Sequence, residues 1–362
     1  MAVNVVHNPS PHSDEQRAAI LADPGFGRYF TDHMVRVDWS AGSGWGEIEV
    51  QPYGSLRMDP ATMSLHYGQE IFEGLKAYRQ PDGSIATFRP DLNAARFQRS
   101  ARRLAMAELP EDLFVESLRA LTEVDQAWVP TNPDHSLYFR PFMISTEVGL
   151  GVRPSNAYAF LVIASPAGAY FPRGVQPVSV WLSTEFTRAA VGGTGEAKCA
   201  GNYAASLIAQ AHAAEQGCDQ VVWLDAVEHR WVEEMGGMNL YFVYGSGPGA
   251  RIVTPALTGT LLPGVTRDSL LTVATELGYA AEEGKISTDE WREGNASGAL
   301  TEVFACGTAA VITPVGSVKS ANGEWKVGDG GSGPITMQLR KQLLGLQTGT
   351  VPDSHGWMHR LV

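Results

Sequence analysis

The chain has 362 residues, 44% hydrophobic and 18% charged, with 39 Gly, 21 Pro and a formal net charge of −12. At about 150 residues per domain this suggests two globular domains, too apolar for a disordered chain and too patternless for a fibrous one. The acidic balance argues against DNA or RNA as a partner; the three cysteines, Cys199, Cys218 and Cys306, form no CxxC and argue against a disulfide framework or a zinc site.

The opening stretch MAVNVVHNPSPHSDEQ has no basic segment followed by an apolar one, and no apolar run approaches the ~18 residues of a membrane span. With so few cysteines, this predicts a reducing, cytoplasmic address. Residues 1–40 read as a polar, irregular arm. From 41 to 167, short strands and amphipathic helices share one block, which predicts a smaller α/β domain. Its elements are a strand at IATF (85 to 88), helices over 91–108 and 111–128, and the strands LYFRPFMIS and AYAFLVIAS. Arg96, Arg99, Arg102 and Arg103 bunch on the first helix and read as a solvated face.

The stretch SPAGAYFPRGVQP (165 to 177) concentrates Pro and Gly between two apolar runs, which predicts an interdomain linker at 168–178. The remainder, 179–362, reads as a larger, strand-rich domain. PVSVWLS, a glycine turn, a helix over 202–216, QVVWLDA, NLYFVYG and RIVTP come first. A helix over 266–277, TEVFACG, AAVITPV and a last helix near 335–346 follow. Several neighbouring strands are close enough to be hairpins. The fold class is therefore α/β with α+β character, its second domain a curved, partly antiparallel sheet with flanking helices rather than a doubly wound one.

Several segments carry possible chemistry. GGTGEAK (192 to 198) lacks the Gly before the lysine and the Ser or Thr after it that a phosphate loop requires. GSGPGA (245 to 250) runs into a strand instead of a helix, so it reads as a hairpin turn. Lys198 stands between a glycine turn and an apolar helix; a buried lysine sheds its proton readily and can then condense with a carbonyl, although a lone lysine is more often a surface residue. In WVEEMGGMNLYFV, strand alternation can turn one of Glu233 and Glu234 inward, where it needs a cation; the alternative is a solvated pair. LLPGVTRDSLL places the Val265 and Thr266 amides at a helix start, a natural anion cup, and CGT (306 to 308) offers a second glycine turn with a hydroxyl, although each alone is more often plain turn chemistry. Arg89 follows a strand and suits a phosphate clamp, although surface solvation is the default for any single arginine.

Together these blocks resemble the branched-chain aminotransferases, the fold-type IV class of pyridoxal-phosphate enzymes. The resemblance runs from about Tyr29 to the C-terminus, on LHYGQEIFEGLKAYR, FRPDLNAARF, YFRPF, GGTGEAKCAGNYAASL, EEMGGMNLYFV, LLPGVTRDSLL and EVFACGTAAVITPV. It implies a pyridoxal 5'-phosphate cofactor in Schiff-base linkage to Lys198, with Lys198 later moving the substrate proton. It implies Glu234 at the pyridine nitrogen, Tyr203 at the phenolic oxygen, and Arg89, Val265, Thr266 and Thr308 around the phosphate. For the substrate it implies an apolar and aromatic wall from Tyr67, Phe72, Tyr138 and Tyr170. Arg140 would help a distal carboxylate, and backbone groups near Gly237, Met238 and Ala309 would take the α-carboxylate. Phe72 and Tyr138 also fit a plain core role. A metal is not expected.

The implied reaction is ping-pong transfer of the amino group of Leu, Ile or Val to 2-oxoglutarate, its reverse completing branched-chain amino acid synthesis, in a homodimer at least. Where some animal relatives carry a redox CxxC after CGT, this chain reads Ala310-Val311-Ile312-Thr313, so thiol regulation of that kind is not expected. A D-amino acid aminotransferase or an aminodeoxychorismate lyase is the rival within the fold class, and a non-catalytic nucleotide-binding module is the rival outside it.

Overall fold

The computed structural model describes residues 2–168 and 174–362. The chain forms two compact units. One gathers Met1–Tyr170 with Ala197–Ala200 and Leu346–Val362; the other gathers Phe171–Glu196 and Gly201–Gly345.

The first unit is a mixed sheet with helices on one face. Its centre is the long antiparallel pair Ser136–Ser145 and Ala157–Ala167, flanked by Leu75–Arg79 on one side and His33–Ser40 on the other. The helices Pro90–Arg103 and Glu111–Asp125 pack Phe97 and Phe114 against Phe160 of the sheet, with ring centroids 5.5 to 5.9 Å apart. Each such buried ring contributes roughly 1.5–3 kcal/mol.

The expected arm of residues 1–40 differs from what folds. His33–Ser40 is a strand inside the sheet, with Val35 and Val37 buried on alternate positions, and Val3–Val5 pairs in parallel with Ile48–Pro52. Ser13 caps a helix over Asp14–Ala22, its hydroxyl accepting from Gln16 N–H. The C-terminal stretch placed in the large domain returns to the first unit, where Met358–Arg360 pairs with Ile85–Phe88.

The helix expected over 91–108 stops at Arg103, and Ala105 then takes a positive φ of 53°. Arg99, Arg102 and Arg103 are exposed as expected, but Arg96 is not a solvated residue: it is 4% exposed and ion-paired with the buried Glu73.

The second unit contains a closed six-strand ring. Val232–Met235, Gln220–Leu224, Val178–Leu182, Val311–Ser320, Leu300–Gly307 and Met238–Tyr244 follow one another by pairing, and the last pairs back with the first. Val178–Leu182 pairs in parallel with both neighbours and the other junctions are antiparallel, so the partly antiparallel curved sheet is present. Leu240, Phe242, Ala305, Val315 and Trp291 lie in its core.

The helix expected over 202–216 is two, Ala200–Ala204 and Leu207–Glu215. The Ser206 hydroxyl donates to the Tyr203 carbonyl at 2.6 Å, a local bond that competes with continuous helix. Sequence reasoning also passed over the helix Thr288–Ser297, although Ser287 accepts from Glu290 N–H in a legible capping pattern.

Candidate active site

The residues singled out by sequence fall into two sets, one in each unit, and Tyr170 lies outside the described residues.

In the first unit, Lys198 is half-buried rather than buried. Its Nζ lies 4.8 Å from the centroid of the Phe72 ring. The Arg140 guanidinium carbon stands at the same 4.8 Å from that ring. Arg140 donates to the Tyr138 hydroxyl at 3.0 Å, and its buried Nε has no hydrogen-bond partner among the described residues. An orphan buried donor of this kind is costly unless something accepts from it. Tyr67 ends the short helix Ser64–Tyr67 and donates to the Leu150 carbonyl at 2.5 Å. The structure thus joins Lys198, Phe72, Tyr138 and Arg140 in one cluster.

Arg89, also in the first unit, precedes the helix Pro90–Arg103 in a left-handed conformation, φ 47° and ψ 51°. Its guanidinium sits 4.7 Å from the Trp357 ring. A left-handed arginine is strained by about 1 kcal/mol or more, a cost met where the surrounding structure needs that geometry.

In the second unit, Glu234 sits in the strand Val232–Met235 and pairs with Asn239 across the two-residue turn Gly236-Gly237. Both adjacent glutamates point inward. Glu234 is 2% exposed, lies 3.1 Å from Arg188 Nε, and accepts the Leu262 N–H at 2.5 Å. Glu233 is 6% exposed and accepts from the Thr260 hydroxyl at 2.5 Å. Burial pushes the Glu233 carboxyl up, against the lowering effect of that hydroxyl and of Arg188.

Gly264, Val265 and Thr266 open the helix Val265–Glu276, as expected of an anion cup, and Val265 and Thr266 are buried there. Asn239 ties this cup to the Glu234 hairpin: its Nδ2 donates to the Leu262 carbonyl at 3.0 Å. The strand Leu300–Gly307, which leads into Thr308 and Ala309, pairs with Met238–Tyr244 so that Cys306 faces Asn239. Tyr203 adjoins the hairpin, because a Cβ placed on Gly237 would lie 3.5 Å from its ring. Glu234, Gly237, Met238, Val265, Thr266, Thr308, Ala309 and Tyr203 therefore gather at one end of the ring.

Arg188 was missed. It is a single arginine in STEFTRAA with no pattern around it, and only the fold shows that it meets Glu234 and donates to the Thr260 carbonyl at 2.5 Å. The one signal was the inward glutamate itself, which demanded a cation somewhere. Among the described residues no group of His, Cys, Asp and Glu could hold a metal.

The family described as amino-transferase class IV matches residues 70–318. A probable branched-chain-amino-acid aminotransferase of Streptomyces coelicolor is 64% identical over 98% of this chain and 97% of its own. A branched-chain-amino-acid aminotransferase of Mycolicibacterium smegmatis is likewise 64% identical, over 98% of this chain and 96% of its own. The crystal structure of an Escherichia coli branched-chain amino acid aminotransferase superposes with a TM-score of 0.74 at 28% identity, over 90% of this chain and 99% of that one. The chain belongs to the branched-chain-amino-acid aminotransferase family of the class IV aminotransferases.

Proposed function

We propose that Lys198 is the amine that joins the cofactor and that Glu234 is its ring partner. The enzyme is a pyridoxal-phosphate-dependent transaminase acting on branched-chain L-amino acids, with 2-oxoglutarate and glutamate as the other pair. The observation that carries the site assignment is the buried Arg188–Glu234 pair beside the Gly236-Gly237 turn, tied through Leu262 to the helix start at Val265. The donor set suits the cofactor: an amine, a buried carboxylate, a helix N-terminus and a guanidinium.

When bound, pyridoxal phosphate supplies an aldehyde for the amino group and a ring that accepts electrons. The chain does the rest. Arg188 is the cation beside the Glu234 carboxylate, which would accept from a ring N–H. The amides of Val265 and Thr266, with Arg89 and Thr308, hold the phosphate. Lys198 Nζ takes the substrate α-proton and returns it, which is general base and then general acid work. Phe72 and Tyr138 wall an apolar side chain, and the orphan Arg140 Nε faces the need of a distal carboxylate for a donor.

Borohydride reduction followed by mass analysis is expected to find the label on Lys198 and nowhere else; a label elsewhere defeats the assignment. L-Leu is expected to discharge the cofactor's visible absorption and D-Ala to leave it, the reverse pattern indicating a D-amino acid enzyme.

A homodimer is part of the same reading. Leu65, Tyr67, Val148, Leu150 and Val152 of the first unit are 59, 39, 58, 64 and 83% exposed, an apolar cluster of the sort that self-association covers. Sedimentation analysis is expected to give twice the chain mass. The cytoplasm is the proposed location: Cys199, Cys218 and Cys306 are all free and buried. Among the described residues no helix is long and apolar enough to cross a membrane.

A further inference from the structure

Two groups of the first unit hold the Lys198 main chain, and one of them, Ser100, shares a helix with a grip on a buried carboxylate. The helix Pro90–Arg103 carries Asn93, Arg96 and Ser100 along one face, all buried. Ser100 Oγ accepts the Lys198 N–H at 2.9 Å. From the other side the Phe72 N–H donates to the Lys198 carbonyl at 3.0 Å, and Ile71 bridges Cys199.

Directly after Phe72, Glu73 is fully buried. Its two oxygens accept Arg96 Nε and an Arg96 terminal nitrogen, and Asn93 Nδ2 donates to one of them, each at 2.7 Å. The Glu73 N–H is spent on the Pro141 carbonyl at 2.7 Å. Burial acts to push the Glu73 carboxyl up, but Arg96, Lys198 and Asn93 outweigh it and hold the carboxyl below its ordinary range.

A buried ion pair returns little net stability over an apolar replacement, so its effect is better sought in what it fixes. It fixes the helix bearing Ser100 to the strand end bearing Phe72, and these are the two jaws on the Lys198 backbone. We infer that Ser100 and Glu73 are positioning residues for transamination, setting the place from which the Lys198 side chain reaches without touching substrate or cofactor. The inference rests on Lys198 being the reacting amine. A reacting group displaced by about 1 Å can lose about 10²-fold in rate, so small loosening of the jaws is visible in turnover.

Ser100→Ala removes one acceptor and leaves the Glu73 network whole. In the cofactor-free chain, hydrogen exchange at the Lys198 amide is expected to rise about tenfold or more. With cofactor bound, kcat per bound cofactor is expected to fall about tenfold, with KM for L-Leu held within about twofold. Glu73→Gln, which turns an amide donor toward Arg96, is expected to show the same split, and Glu73→Asp to recover most of kcat. Leu118→Ala in the same core is a control for stability, expected to lower Tm without changing kcat per bound cofactor. A Ser100→Ala enzyme with kcat per bound cofactor within twofold of the parent overturns the inference, whatever its exchange rate, and decides the matter alone if Glu73→Gln does not fold. Borohydride labelling of the parent enzyme away from Lys198 would instead sink the underlying assignment, and the inference with it.

Discussion

Arg188 Nε stands 3.1 Å from Glu234 Oε2, with the arginine side chain 7% and the glutamate 2% exposed. Neither charge has much water, so each is tolerable because of the other. Arg188→Met leaves the carboxylate without its cation. Stability is expected to drop by about 3–5 kcal/mol in denaturant titration, and kcat by about 10²–10³-fold through the proposed role of Glu234 at the ring nitrogen.

Gly264 allows the approach of Asn239. A Cβ there would lie 2.1 Å from Asn239 Oδ1, and Asn239 is the residue that ties the cup to the hairpin. Gly264→Ala is expected to weaken cofactor binding about tenfold or more, read by titrating the apoenzyme with pyridoxal phosphate, because a misplaced helix start would lose the hydrogen bonds proposed to the phosphate.

Gly74 gives the same kind of clearance at Tyr138 and Arg140, the proposed substrate wall. A Cβ at this position would come within 2.0 Å of the Tyr138 hydroxyl, which accepts from Arg140. Gly74→Ala is expected to displace both side chains and to lower kcat/KM for 2-oxoglutarate by about 10²-fold. The change for L-Leu is expected to be smaller, since its side chain needs no guanidinium.

Asp225 marks a pH limit. Burial works to raise its carboxyl, but the N–H groups of Glu228, Trp231, Arg230 and Val227, at 2.7, 2.8, 2.9 and 3.1 Å, lower it to about 2. Being depressed on folding from a usual 3.8, it adds stability that is whole above about pH 4 and lost as pH falls toward 2. Asp225→Asn is expected to cost about 1–2 kcal/mol at neutral pH, with the difference from the parent vanishing near pH 2 in acid titrations of the unfolding midpoint.

How much of this was legible depended on whether a residue's role is written in its neighbours. The helix start at Val265-Thr266 was readable from its Pro-Gly turn, whereas the residues alone left open whether Lys198 is buried and which of Glu233 and Glu234 turns inward, and both glutamates do. The strands of the second unit were readable because alternation and turn residues are local signals. Arg188, Asn239 and Ser100 were silent: each acts through a partner tens of residues away, and nothing adjacent reveals it. His33–Ser40 was missed for a related reason. Its buried side chains are interrupted by Arg36 and Asp38, which satisfy each other on the sheet, so the polar residues suggested solvent where the strand is internal.

Residues 197–200 pack with the first unit although the chain on both sides of them belongs to the second. Splitting the gene at the Pro- and Gly-rich stretch near residue 170 would accordingly produce two polypeptides that misassign the proposed reactive amine. The downstream fragment would own the lysine but lack Ser100 and Phe72, and the upstream fragment would own the seat but have nothing to place in it. On the proposed role of Lys198, catalysis from such fragments would require reassembly, so activity would report whether the two halves have met.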